Sequence, residues 1–417
     1  MTLDALFQRA RCHRVLTTEP DRENAVLVDV TRSDLAGAAT GSEASWQSPA
    51  ADAISFMLTT SGSTGIPKIV PLSVGAVDRF SDWAGAMFGM STGTIVLNYA
   101  PLNFDLCLLD IWSTLKAGGC AVLVDQDQAM NPRYLVDLLT SSDVTVIQAV
   151  PVFYRLLLDA VRDRGCYFAS VQHVIFTGYA MPAGLLAELP ALFPDARFYN
   201  IYGCTETNDS FLHEANARQA VEPLPIGKPL PGVDACIVGE DGKAIVGAGM
   251  GELWVATPFQ SPGYLDDASD KFVRFLRPGA PGEETWFRTG DVVRRNGDGT
   301  IVVVGRNDFR VKVRGVCVNL EEVEQALLQH GEIAEAVVVA IPDPLAGSRL
   351  LAVVRRNRAS SVNSLELRTH CAQRLPRVAI PSTIDLTESP LPRTVTGKID
   401  RQSIKNNLME KRSNDDS

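Results

Sequence analysis

From residue 54 onward, short apolar runs alternate with stretches whose apolar residues recur at helical spacing. The runs at 54–58, 94–97, 120–124, 144–147 and 174–176 predict strands. An apolar helical run follows Phe104 and continues through Trp112. This rhythm is that of crossover units stacked on largely parallel sheets. From 233 the pattern shifts to short alternating strands at 233–238 and 251–255, then Gly263-Tyr264, which reads as a small β-barrel-like subdomain. A strand at 300–304 ends at Gly305, and a new alternating strand starts at Phe309. Asn319 opens a predicted helix at 320–329, with Glu322 in the capping-box position. Strands at 336–341 and 350–354 and a helix near 365–374 complete a compact α+β C-terminal domain. The predicted fold is α/β: a large N-terminal domain of stacked α/β subdomains with the β-barrel-like subdomain (1–307), then the small C-terminal domain (308–417).

Two stretches fall outside this rhythm. Residues 25–30 predict one buried strand ahead of a polar, Ala/Ser/Gly-rich linker at 33–53. The polar residues after Asn406 are expected to be disordered.

A chain of 417 residues is long enough for two or three domains with substantial cores. The net charge of −10 argues against a nucleic-acid or anionic-membrane partner. The eight cysteines are scattered without a CxxC pair, and the five histidines are equally dispersed. That excludes a disulfide frame and a His/Cys metal site, and suits reduced thiols. No apolar run reaches membrane-spanning length and the N-terminus lacks a signal-peptide pattern, so a cytoplasmic protein is expected.

The candidate chemistry begins at Thr59-Thr60-Ser61-Gly62-Ser63-Thr64-Gly65-Ile66-Pro67-Lys68, directly behind the first apolar run, read as a buried strand. Glycines let the backbone approach a ligand, and the Ser61, Ser63 and Thr64 hydroxyls and loop N–H groups donate to phosphate oxygens. Lys68 adds a point charge. Such composition ordinarily means a surface turn. Packed behind a strand with a lysine, it reads as a nucleotide-phosphate loop. It is not the kinase and GTPase P-loop, because Pro67 precedes the lysine and no hydroxyl follows.

This loop resembles the signature of the adenylate-forming superfamily, which includes acyl-CoA synthetases, luciferases and the adenylation domains of nonribosomal peptide synthetases. The rest of the chain supplies the other motifs in the same order. Asn200-Ile201-Tyr202-Gly203-Cys204-Thr205-Glu206 resembles the family's Tyr-Gly-x-Thr-Glu element, with Cys204 at the variable place. The resemblance implies that Tyr202 stacks on adenine, Thr205 hydrogen-bonds the α-phosphate, and Glu206 is the Mg²⁺ ligand. Asn200, Ile201 and Gly203 then line the nucleotide. The Thr177-Gly178-Tyr179 turn implies the surface against which adenine lies. Asp291, in Thr289-Gly290-Asp291, implies a ribose-hydroxyl acceptor, and Arg306 a ribose and phosphate contact. Asp308 falls at the hinge between large and small domains. Lys398, in Thr396-Gly397-Lys398, implies the catalytic lysine, although a lysine in such a loop is by default a solvated charge. The family has a longer region ahead of the phosphate loop, and its early elements are expected to be missing here.

Phe104-Asp105 separates the possible substrates. An acidic residue opening a helix is ordinarily an N-cap. In amino-acid-activating members of the family, an Asp here pairs with the substrate's α-ammonium group. A carboxylate buried without a partner is costly, so its presence implies a cation. By resemblance Leu106, Leu109, Gln148, Thr177, Ile201, Asp209 and Ser210 line the same pocket, implying a small or medium amino acid. The implied function is ATP- and Mg²⁺-dependent amino-acid adenylation, then transfer to the phosphopantetheine thiol of a separate carrier protein or to coenzyme A. Two rivals remain open: an acyl- or aryl-CoA ligase, and an inactive nucleotide-binding homologue.

Overall fold

The computed structural model describes residues 15–17, 25–27, 49–60, 68–162, 165–265, 271–276, 282–313, 316–343, 347–358, 360–394 and 398–415. Strands β1 (Val15–Thr17) and β2 (Ala25–Leu27) pair in parallel. The chain divides into two compact units, Met1–Cys236 with Trp254–Arg288, and Ile237–Leu253 with Thr289–Ser417.

In the first unit, β3 (Ile54–Thr60) and β4 (Lys68–Ser73) form an antiparallel two-stranded sheet. The expectation of a buried strand before the loop is corrected here. Ile54 and Met57 are exposed, and Leu58 alone along β3 is fully buried. A two-stranded sheet has too few neighbours to cover both faces of an apolar strand. Ser73 caps α1 (Val74–Met87), its hydroxyl accepting from the Ala76 N–H at 3.2 Å.

A seven-stranded sheet follows. It contains β5 (Ile95–Asn98), β6 (Cys120–Leu123), β7 (Val146–Ala149), β8 (His173–Phe176), β9 (Arg197–Cys204), β10 (Asn208–Ala215) and β11 (Lys228–Pro229). Its spatial order is β11-β10-β9-β8-β7-β5-β6, parallel from β9 to β6 and antiparallel beyond. Helices α2 (Pro132–Ser142), α3 (Pro151–Val161) and α4 (Ala183–Leu192) connect the parallel strands, two of them opened by a proline whose missing N–H costs nothing there. Every residue of β7 is buried, Gln148 included, so the strand shows no alternation of buried and exposed positions. Phe153, Tyr154, Phe176 and Phe193 fill the core behind the sheet. The order reverses between β5 and β7, and ligands of such sheets bind at the carboxyl ends beside that switch.

Strands β12 (Asp234–Val238), β13 (Gly249–Ala256) and β15 (Glu284–Arg295) cross the unit limits. Within the first unit, β14 (Phe272–Phe275) pairs antiparallel with the start of β15. Within the second, residues 291–295 of β15 form a hairpin with β16 (Ile301–Arg306). Then come the hairpin β17 (Arg310–Val313) and β18 (Val316–Asn319), and α5 (Leu320–Leu328). Asn319 does cap α5, but its side chain accepts from Glu321 N–H. The reciprocal capping box lies instead between Asn363 and Glu366, at the start of α6 (Ser364–Ala372), which follows β19 (Ile333–Asp343) and β20 (Gly347–Arg356). β21 (Thr383–Thr387) completes a three-stranded sheet beside β20.

The tail differs from the sequence expectation. Residues Arg401–Asp415 form helix α7, not a disordered end. Ile404 and Leu408, four apart, lie on one face and join Val337, Val339, Leu351 and Leu391 in a small core. A two-residue apolar stripe in a polar helix is too sparse to register as amphipathic.

Candidate active site

The carboxyl ends of β5, β7, β8 and β9 lie side by side, with Asn98 paired to Gln148 and Phe176 to Asn200. Asp105 and Leu106 lie on the turn that leaves β5, and Leu109 in the π-helical turn Leu108–Ser113. Asp105 is not that turn's cap: the N-cap is Cys107, without a side-chain bond. The Asp105 carboxylate instead accepts from the Thr205 hydroxyl at 2.9 Å, a contact spanning 100 residues. Two of the predicted site residues thus meet directly.

Thr205 and Glu206 sit in the tight turn joining β9 to β10, where Cys204 pairs with Asn208. Gly203 makes this turn possible. A Cβ there would lie 2.4 Å from the Asn208 carbonyl oxygen, which no side chain tolerates. Glu206 accepts from the Tyr264 hydroxyl at 2.6 Å, and the Lys68 ammonium lies 4.4 Å above the centre of the Tyr264 ring. Tyr264 therefore links the predicted metal ligand to the lysine after the predicted phosphate loop. Thr60 closes β3 opposite Lys68, while Ser61, Gly62, Ser63, Thr64 and Gly65 lie outside the described residues.

A second carboxyl stands behind Asp105. Asp110 is fully buried, one oxygen accepting from Asn98 Nδ2 and the other from Gln148 Nε2, each at 3.1 Å. Gln148 also donates to the Leu106 carbonyl at 3.2 Å, so its side chain braces the turn that presents Asp105. Burial pushes the Asp110 carboxyl well above the usual carboxylate range, opposed by the two amide donors and aided by Asp209. Asp209, half-buried on β10, is pushed up to about 8, by burial and then by Asp105. The Cys107 thiol is pushed up to about 12 by burial and these same carboxylates. Asp105 thus disfavours charge on Asp209, and Asp209 disfavours it on Asp110, a repulsion that a cation beside them would relieve. Asp110 escaped the sequence reading, though a lone acid within Leu106-Cys107-Leu108-Leu109-Asp110-Ile111-Trp112 was the available signal. The sequence places Tyr264 only in the β-barrel-like subdomain.

The remaining first-unit positions divide between lining and support. Thr177 is buried just after β8, followed by the Gly178 turn. The Tyr179 hydroxyl accepts from Val152 N–H at 2.8 Å, which fixes it to the first turn of α3. Asn200 donates to the Pro225 carbonyl at 2.8 Å, and the Tyr202 ring meets Phe211 edge-on at 5.9 Å. Ile201 and Leu109 share one apolar cluster, and buried Ser210 donates towards Thr207 Oγ1 and the Asn208 carbonyl, both at 3.3 Å.

In the second unit, Asp291 and Arg306 are opposed across the β15–β16 hairpin and form an ion pair at 2.7 Å. Arg306 N–H donates to Glu321 Oε2 at 3.1 Å. Asp308 lies in the single 3₁₀ turn Asn307–Phe309. Lys398 is exposed, on a loop closed by Asp400 N–H to the Pro392 carbonyl and Thr394 N–H to the Lys398 carbonyl, both at 2.8 Å. No group of three or more metal-ligating side chains exists among the described residues, and no described helix is long and apolar enough to cross a membrane.

Comparison with known proteins places the chain in a family. The family model described as AMP-binding enzyme matches residues 3–265, and that described as AMP-binding enzyme C-terminal domain matches residues 322–398. An L-proline–[L-prolyl-carrier protein] ligase of Pseudomonas fluorescens is 34% identical over 359 residues, covering 85% of this chain and 68% of the relative. A D-alanine–D-alanyl carrier protein ligase of Bacillus licheniformis is 30% identical over 358 residues, covering 84% and 70%. In structure, Klebsiella oxytoca NpsA in complex with 3-hydroxyanthranilyl-AMSN superposes with a TM-score of 0.78 at 22% identity, covering 97% of this chain and 81% of that one. With its motifs in order and its fold that of the adenylate-forming enzymes, the chain belongs to the AMP-binding enzyme family.

Proposed function

We propose that this chain is an AMP-forming ligase that activates an amino acid and loads it onto the phosphopantetheine thiol of a separate carrier protein. In the first half-reaction a carboxylate oxygen of the amino acid attacks the α-phosphorus of ATP. The bond to the bridging oxygen breaks and pyrophosphate leaves. In the second, the thiolate attacks the adenylate's carbonyl carbon, and AMP leaves as the thioester forms.

The observation that carries this reading is Asp105 held by the Thr205 hydroxyl at 2.9 Å, in a neighbourhood of carboxyl groups at the ends of the parallel strands. A carboxylate so placed suits a substrate ammonium group, which aryl and fatty acids lack. The carrier-protein ligases among the relatives support the same substrate class.

The other roles belong to the proposal. Thr60, the 61–65 loop and Lys68 meet the phosphates, and Asp291 with Arg306 meets the ribose. Gly178, Tyr179, Asn200, Ile201, Tyr202 and Gly203 surround the base. Lys398 stabilises charge as the carboxylate and α-phosphate join. Glu206 suits Mg²⁺, which takes one or two carboxylates together with substrate phosphates. When bound, the ion would neutralise charge on the departing pyrophosphate. The C-terminal residues 308–417 turn about Asp308 relative to 1–307 between the two half-reactions. ATP supply places the reaction in the cytoplasm.

Pyrophosphate exchange with a panel of amino acids, aryl acids and fatty acids tests the reading. Stimulation by one or a few amino acids is expected. Stimulation by aryl or fatty acids alone would establish a CoA ligase instead, and no exchange despite ATP binding would leave an inactive homologue.

A further inference from the structure

We propose that Arg401 and Glu324 form a positioning clamp for Lys398, fixing the lysine loop to the segment just beyond the hinge. This rests on the reading of Lys398 as the lysine of adenylate formation.

Lys398 occupies an exposed loop, and a lysine there is a flexible point charge on four methylenes. To stabilise charge at one phosphorus, the loop backbone must be held. Both of its arms are anchored. On the incoming side, Leu391 is buried and its N–H donates to Glu335 Oε2 at 3.0 Å, while Arg393 pairs with Glu335 Oε1. On the outgoing side stands Arg401, three residues from the lysine. Its guanidinium pairs with both oxygens of Glu324, Nη2 lying 2.6 Å from Oε2. Nη1 also reaches the Val338 carbonyl at 3.3 Å. Glu324 is 7% exposed and accepts a further bond from Val338 N–H at 2.6 Å.

Two features make this more than a structural ion pair. A buried carboxylate and a partly exposed guanidinium held in a fork are directional, so they define where the chain leaves the loop, which an apolar contact does not. The Arg401 guanidinium also stacks on the Phe309 ring, its central carbon 4.4 Å from the ring centre. Phe309 immediately follows Asp308. The clamp thus ties the loop that bears Lys398 to the first side chain past the proposed hinge. Helix α5, which carries Glu324, also carries Glu321, whose carboxylate accepts from Arg306 N–H. One helix therefore braces both the ribose-site arginine and the lysine loop.

The test compares Arg401→Met, Arg401→Lys, Lys398→Ala and the double variant Arg401→Met/Lys398→Ala in the full chain, by pyrophosphate exchange. Arg401→Met is expected to lower kcat about 10- to 100-fold, as a misplacement of about 1 Å does, with KM for ATP and amino acid unchanged within about twofold. Arg401→Lys, which keeps the charge but not the fork, is expected to fall between. Once Lys398 is absent, Arg401→Met should cost no more than about twofold further, because its effect passes through that lysine. An unchanged kcat in Arg401→Met, or an equal loss with and without Lys398, overturns the clamp. If Arg401→Met does not fold, Glu324→Gln decides by the same cycle, since it removes the charge but retains the acceptor for Val338 N–H. Should Lys398→Ala itself leave exchange untouched, the functional reading fails, a result distinct from failure of the clamp.

Discussion

Asp105 and Thr205 touch only because the β5 exit turn and the β9–β10 turn end at the same edge of the sheet. If that carboxylate receives the substrate ammonium, Asp105→Ala should raise KM for the amino acid by more than about tenfold, the value of one charge-assisted hydrogen bond, and leave KM for ATP unaltered. Steady-state exchange at varied amino acid and varied ATP checks both halves. Asp209 makes a prediction in pH. Its carboxyl titrates near 8 in the fold, above the ordinary value of 3.8. The folded chain therefore holds this proton more tightly than the unfolded chain. That stabilising contribution is complete below about 4 and is lost as pH rises towards 8. Asp209→Asn, neutral throughout, should gain Tm relative to the parent between pH 5 and pH 9. A difference in Tm that stays constant over that range would show that the carboxyl titrates normally.

At the scale of elements, the parallel core was open to reading. The apolar runs that became β5, β7 and β8 are buried on both faces apart from the first residues of β5 and β8, whereas β6, at the edge of the sheet, leaves Cys120 and Leu123 exposed. Edge and tail elements were less open. β3 has an equally apolar run but lies in a two-stranded sheet, and α7 buries just Ile404 and Leu408 among its described side chains. Leu408→Ala should cost about 2–3 kcal/mol in urea unfolding, a loss that a disordered tail would not show. The return from β10 to β11 depends on Gly227, at φ +86°, where a Cβ would stand 2.0 Å from the Leu212 carbonyl oxygen. Gly227→Ala must push the two strands apart, and a Tm fall of many degrees is expected by thermal scan.

At the scale of the molecule, ATP binding should stabilise the folded chain in proportion to occupancy, about 2.7 kcal/mol at 100 times Kd. Chelation of Mg²⁺ should abolish exchange, and added Mg²⁺ should restore it. A rate indifferent to chelator would remove Glu206 from the role of metal ligand. By itself the sequence determined the family, through motifs whose chemistry is local: a turn that needs Gly203, a Thr-Glu pair within it, a lysine in a glycine loop. It also determined the parallel core, because burial on both faces leaves continuous apolar runs. The tertiary structure alone decided which distant side chains complete those motifs. Asp105 with Thr205, Tyr264 with Glu206, and Arg401 with Glu324 are separated by 100, 58 and 77 residues. No periodicity encodes such pairs, since each partner reads locally as an ordinary polar or aromatic residue until the folding of the sheet brings it to the other.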